Sequence, residues 1–271
     1  MILRDGRRID YLEVGDPTGF PVMHHHGGLS SNLDVVPAGA AARAAGLRIV
    51  APNRPGVAGS ARAPGRLTRD WAADAAELAD QLELRTFAVL GWSLGGAFAQ
   101  AVAVDLGPRV TALALVASVI PPTWADMTTE LNRLDRIFMA LHDRGAKVDR
   151  ALLRGVRRMA RRSPATLARL SHFPPAVADQ LTVAVTEGLR QAAGVVDEYR
   201  CMATAWGFEP SDIAVPTAVW QGDADDLVPT RWGTRLARAI EGAELHTVPA
   251  GTHFLAYDHW DAILAGLVPT G

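Results

Sequence analysis

Thr86-Phe87-Ala88-Val89-Leu90-Gly91-Trp92-Ser93-Leu94-Gly95-Gly96-Ala97-Phe98-Ala99-Gln100 is the stretch on which the reading of this chain turns. Its first half is a short apolar run of strand character. Its second half is Ala-rich and helical, and the two meet at a Gly-x-Ser-x-Gly turn. A serine held at so sharp a strand-to-helix turn stands clear of the sheet and faces the helix N-terminus. Glycine at 91 and 95 removes the β-carbons that would collide there. Ser93 alone admits two uses, a cap on the following helix or a nucleophile, and the rest of the chain must decide between them.

Outward from this turn the same alternation repeats. Apolar, partly β-branched runs at 22–25, 48–51, 87–90 and 113–117 predict strands, and 71–84 predicts a helix with Trp71, Ala75, Leu78 and Leu82 on one face. Asp74, Glu77 and Asp80 are placed on its water side. Strand signals return at 217–220 and 244–248, with helices expected over 231–241, capped by Thr230 and stopped by Gly242, and from about 260. The expected class is α/β, a mostly parallel doubly wound sheet. From Pro121-Pro122 to about Pro210 only helical periodicity is found. Residues 1–122 and 211–271 are therefore read as the core and 123–210 as an inserted helical cap.

Composition narrows the function. The 271 residues are 49% hydrophobic and 21% charged, with a net charge of −2, so nothing calls for nucleic acid. Cys201 is the only cysteine, which excludes a disulfide framework or a multi-cysteine metal site. There is no signal-like h-region and no uninterrupted run long enough to span a membrane, so a cytoplasmic chain is expected. His24-His25-His26 lies on a predicted strand. Successive side chains there point to opposite faces and cannot share one ion, so no metal is expected, and the chemistry of a serine nucleophile needs no cofactor.

A serine nucleophile needs a base, and the base needs a carboxylate. Both are available downstream in the order this fold uses, Ser, then Asp, then His. Trp220-Gln221-Gly222-Asp223-Ala224-Asp225-Asp226-Leu227-Val228-Pro229 follows one strand, and Ala250-Gly251-Thr252-His253-Phe254 the next. His246 within a strand and His259 at a helix start suit packing and surface roles. His253 is the base by position, while the acid loop offers three aspartates.

Together these motifs resemble the α/β-hydrolase superfamily of serine esterases, lipases, proline iminopeptidase-like and haloperoxidase-like enzymes. Gly6 to Tyr11 with Gly15-Asp16-Pro17 is similar to its opening hairpin, and His26-Gly27-Gly28 to its oxyanion loop. Asn53-Arg54-Pro55-Gly56-Val57-Ala58-Gly59-Ser60 is similar to its Asp-Arg-Pro-Gly-x-Gly-x-Ser signature, departing at Asn53 and Ala58. The resemblance selects Asp225 as the acid and implies an oxyanion hole from the N–H groups of Gly28 and Leu94. It implies acyl transfer from a small or medium apolar carboxylic ester to water. Serine at 93 sets the chain apart from the branches that carry aspartate there, the haloalkane dehalogenases and soluble epoxide hydrolases. Thioesterase, perhydrolase, C–C hydrolase, lyase and cyclase chemistry stay open, as does a non-catalytic ligand-binding receptor.

Trp92, Trp124, Phe138 and Trp206 are the candidate substrate-pocket residues, although aromatic spacing of this kind more often marks packing. The basic stretch from Arg144 to Arg162 is read as a solvated face of the cap. Its sharper alternative is a docking face for an acidic carrier protein or for coenzyme A.

Overall fold

The computed structural model describes residues 1–124, 127–131, 136 and 146–269, without the side chains of residues 128 and 146–149. Seven strands form one sheet in the order β1-β3-β2-β4-β5-β6-β7. They are β1 Tyr11–Gly15, β2 Phe20–His25, β3 Leu47–Pro52, β4 Phe87–Trp92, β5 Val110–Val116, β6 Thr217–Gly222 and β7 Glu244–Val248. β2 to β7 are parallel, and β1 runs antiparallel along β3. Every predicted strand is present, extended at one or both ends in most cases.

Parallel strands must be covered on both faces, and the period-two alternation divides their side chains between two cores. Met23, Val50, Val89 and Leu113 pack with Trp71, Leu78 and Phe98 on one side. Val22, Ile49, Leu90 and Ala114 pack with Val35, Ala42, Trp260 and Ile263 on the other. β4, at the centre, is buried at all six positions. The covering helices used below are α1 Gly39–Ala44, α2 Trp71–Gln81 and α3 Gly95–Asp105.

In the opening segment Ile2 and Arg8 form a small antiparallel bridge, and β1 then runs along β3. Expectations at three places need correction. Asp74 does not face water. It is 9% exposed because Arg7 reaches from the opening turn and grips both carboxylate oxygens at 2.8 and 2.5 Å. Thr230 is the first helical residue of Thr230–Ala239 instead of its cap, and the closing helix begins at Ala256.

Between β5 and β6 the described chain is helical, with a single turn at Met127–Glu130 followed by α4 Ala146–Arg162, α5 Pro164–Leu170, α6 Ala178–Gly188 and α7 Ala192–Ala203. α7 comes down on the loop after β3 so closely that a β-carbon on Gly194 would sit 2.0 Å from the Gly56 carbonyl oxygen. Among the described residues no helix is long and apolar enough to cross a membrane.

Candidate active site

The carboxyl ends of β4, β6 and β7 deliver three loops to one place, the usual location of chemistry on a parallel sheet. At the end of β4, Ser93 has φ +55°, a left-handed conformation that costs a non-glycine residue about 1 kcal/mol or more. The strain is held in place by hydrogen bonds on both sides. Ser93 N–H donates to the Val116 carbonyl at 2.9 Å, and Ser93 C=O accepts from Gly96 at 2.9 Å. The flanking glycines are required by space. A β-carbon on Gly95 would lie 2.0 Å from the His25 carbonyl oxygen, and one on Gly91 2.6 Å from the Ala99 β-carbon.

Ser93, His253 and Asp225 are brought together in one line. His253 Nε2 is 3.0 Å from Ser93 Oγ, and His253 Nδ1 is 3.0 Å from Asp225 Oδ2. The carboxylate is completely covered, and the imidazole nearly so. Asp225 Oδ1 accepts the backbone N–H groups of Leu227 and Val228, each at 2.9 Å, and Gln221 donates to Oδ2 at 3.2 Å. Burial by itself pushes this carboxyl upward. The charge and hydrogen bond of His253, with the two amides, outweigh burial and hold it below its ordinary value of 3.8. The other two loop aspartates turn elsewhere: Asp223 accepts from the Ala250 N–H at 2.7 Å, and Asp226 faces His172 at 3.4 Å on the surface. His246 stacks on Trp220 at 4.2 Å within the sheet, apart from this line.

The glycine loop after β2 lies against the elbow. A β-carbon on Gly28 would meet Leu94 at 3.2 Å and the Tyr199 hydroxyl at 3.1 Å. Among the described residues, neither the Gly28 nor the Leu94 N–H donates a hydrogen bond within the protein. Two buried residues fix this loop. Asp34 accepts from the Gly27 N–H at 3.0 Å and contacts His24 Nε2 at 2.9 Å. Arg54 donates to the His26 carbonyl at 2.7 Å and is itself paired with Glu198 on α7 at 2.6 Å. Arg54 and Glu198 are 0% and 1% exposed, so this is a fully interior ion pair.

A family model described as "Alpha/beta hydrolase family" matches residues 22–265. The chain belongs to that family. Solved structures agree in fold. An esterase from Exiguobacterium antarcticum is 19% identical with a TM-score of 0.72, over 96% of this chain and 94% of its own. An enol-lactonase from Burkholderia xenovorans LB400 gives the same four values. A bromoperoxidase from Bacillus anthracis is 22% identical with a TM-score of 0.73, over 96% and 93%. A search of curated proteins finds no match.

In this alpha/beta hydrolase three of the four aromatic residues named for a substrate pocket make contacts within the fold. Trp92 Nε1 donates to the His253 carbonyl at 3.0 Å, and its ring lies 5.5 Å from the imidazole, so it braces the histidine loop. Trp124 donates to Glu209 at 3.1 Å and stacks under Arg235, tying the exit of β5 to the entry of β6. Trp206, 1% exposed, packs on Phe208 and donates to the Met202 carbonyl at 3.3 Å. Phe138 lies outside the described residues. A cavity of about 530 Å³ lined by Glu13, Val14, Arg43 and Arg48 opens beside the edge strand β1 and shares no residue with the serine, histidine and aspartate.

On α4, Arg154, Arg158, Arg161 and Arg162 are exposed, while Arg157 turns inward to donate to the Thr186 carbonyl at 3.0 Å. Arg144 and the side chain of Lys147 lie outside the described residues. Sequence reasoning missed Asp34, Glu198 and the use of Arg54. Glu198 carries a signal in retrospect, since it shares a helical face with Val195 and Met202 and interrupts an otherwise apolar stripe.

Proposed function

We propose that the protein is a serine hydrolase that cleaves a small or medium apolar carboxylic ester through an acyl-enzyme intermediate. The observation that carries this is the unbroken line Asp225–His253–Ser93, with 3.0 Å at each step. A serine hydroxyl is a weak nucleophile until a base takes its proton, and His253 Nε2 is placed to do so as Oγ attacks the ester carbonyl. Asp225 stays ionised, accepts the Nδ1–H and stabilises the imidazolium. His253 then gives the proton to the departing alcohol oxygen. Water repeats the sequence on the acyl-serine and releases the acid.

The oxyanion formed at each addition is assigned to the N–H groups of Leu94 and Gly28. A donor of this kind is worth roughly 10²–10³-fold in kcat. In this reading the helices between β5 and β6 form a cap that shapes the acyl site. The exposed arginines of α4 would receive an acidic carrier or coenzyme A if the acyl group arrives on one. Retention of a fully assembled proton relay favours an enzyme over a binding receptor.

The test is hydrolysis of p-nitrophenyl esters of increasing chain length by the wild type and by Ser93→Ala. Activity in the wild type that Ser93→Ala abolishes supports the reading, and activity that survives the substitution overturns it. Substituting Arg154, Arg158 and Arg161 by Glu, with a carrier-bound and a free ester compared, tests the docking face. Equal effects on both substrates remove it.

A further inference from the structure

Arg66 presents a guanidinium whose three nitrogens are all buried without a hydrogen-bond partner. This reverses the usual arrangement. A long cationic side chain normally buries its stem and leaves the charge in water, whereas here part of the residue is exposed and the charged end is inside. The face of Phe98, 5.4 Å away, gives a cation–π contact that offsets only part of the desolvation.

The carboxylates that act on it among the described residues are committed to other partners. Glu198 is paired with Arg54 and Asp74 with Arg7. Cys201 is no counter-ion either. Its thiol donates to the Arg66 carbonyl, and burial pushes it up to about 11, so it stays protonated. The nearby cation Arg54 lies over the same Phe98 ring at 4.5 Å and adds repulsion. Unpartnered polar atoms accumulate in the core that holds Phe98. Among the described residues, the Trp71 Nε1–H and the two ring nitrogens of His25, which is edge-on to Trp71 at 5.8 Å, are also buried without partners; burial keeps the imidazole neutral, so one of its nitrogens is a donor and the other an acceptor.

A buried positive charge with no counter-charge among the described residues, in a core that also leaves a Trp71 N–H and one His25 N–H unused, has the chemistry of an anion site. We propose that Arg66 holds a small inorganic monoanion of halide size in the core beside Phe98. The anion supplies the missing counter-charge and relieves the repulsion between Arg66 and Arg54. It thereby supports the arginine on which the glycine loop is hung. The site is separate from Ser93, and it stands whether or not the ester reading is correct.

The test is thermal unfolding of wild type and Arg66→Met at constant ionic strength, with bromide or chloride progressively replacing gluconate. The wild type should show a saturable rise in Tm of roughly 3 °C, and Arg66→Met none. An equal response in both proteins, or no response in the wild type, overturns the proposal. Should Arg66→Met not fold, bromide-soaked crystals of the wild type decide the matter. An anomalous peak within hydrogen-bonding distance of the guanidinium is expected. Water there, or bromide only at the surface, refutes it.

Discussion

Glu198→Leu should be among the most damaging substitutions outside the serine, histidine and aspartate, although residue 198 belongs to no motif. The side chains are similar in volume, so packing changes little. What changes is charge: Arg54, 0% exposed, loses the carboxylate 2.6 Å from its Nε. Removing one partner of a buried ion pair costs about 3–5 kcal/mol, because the remaining charge stays desolvated and unpaired. For a chain of this size that is a fall in Tm of about 10 °C. The second change that tests the cause is Arg54→Met added to Glu198→Leu. Removing both charges should make the double variant more stable than Glu198→Leu alone. The carbonyl of His26 still loses the donor at 2.7 Å, so ester turnover should stay low while stability recovers. Differential scanning calorimetry and a p-nitrophenyl ester assay read the two effects separately. A Glu198→Leu protein within about 1 kcal/mol of the wild type, or a double variant less stable than the single, would refute the charge argument.

Asp225→Asn should lower kcat by about 10⁴-fold, since the amide favours the wrong imidazole tautomer, while Asp223→Asn and Asp226→Asn have small effects on turnover. Because the Asp225 carboxyl titrates below its ordinary value in the folded chain, its stabilising effect is present above that value and is lost as pH falls through the folded one. The Tm difference between wild type and Asp225→Asn should therefore be flat above about pH 5 and shrink below about pH 4. Cys201, buried and with its thiol pushed up to about 11, should resist iodoacetamide at pH ~8 in the folded protein and react on denaturation, as followed by intact mass. Ala58 sits at φ +45°, where glycine is unstrained, so Ala58→Gly should raise stability by up to about 1 kcal/mol in urea unfolding.

The sequence pattern made the centre of this molecule legible, and the reason is local. β4, the turn and α3 are consecutive, so an apolar run, two sterically demanded glycines and an Ala-rich helix read directly as one unit. The parallel sheet followed from repeats of the same alternation. What escaped the pattern depends on residues far apart in the chain. β1 pairs with β3, a strand that follows it only after β2 and α1, and no pattern within residues 6–17 alone names that partner. Asp74 is buried only because Arg7, 67 positions earlier, meets it. Trp92 and Trp206 are aromatic residues at helix and strand spacing, and the pattern cannot separate a ring that lines a cavity from one that braces a loop. The acid among Asp223, Asp225 and Asp226 was chosen by resemblance. The geometry supplies a physical reason, since only Asp225 is held by two backbone amides with an oxygen left for His253.

The most direct test of the central claim is covalent labelling of the native protein by a fluorophosphonate, with the modified residue located by mass spectrometry. The reagent needs a serine activated by its own base and an oxyanion hole to accept the phosphoryl oxygen. A single adduct on Ser93, absent from His253→Ala, is the predicted result. No adduct, or one on another residue while Ser93 stays free, would contradict it.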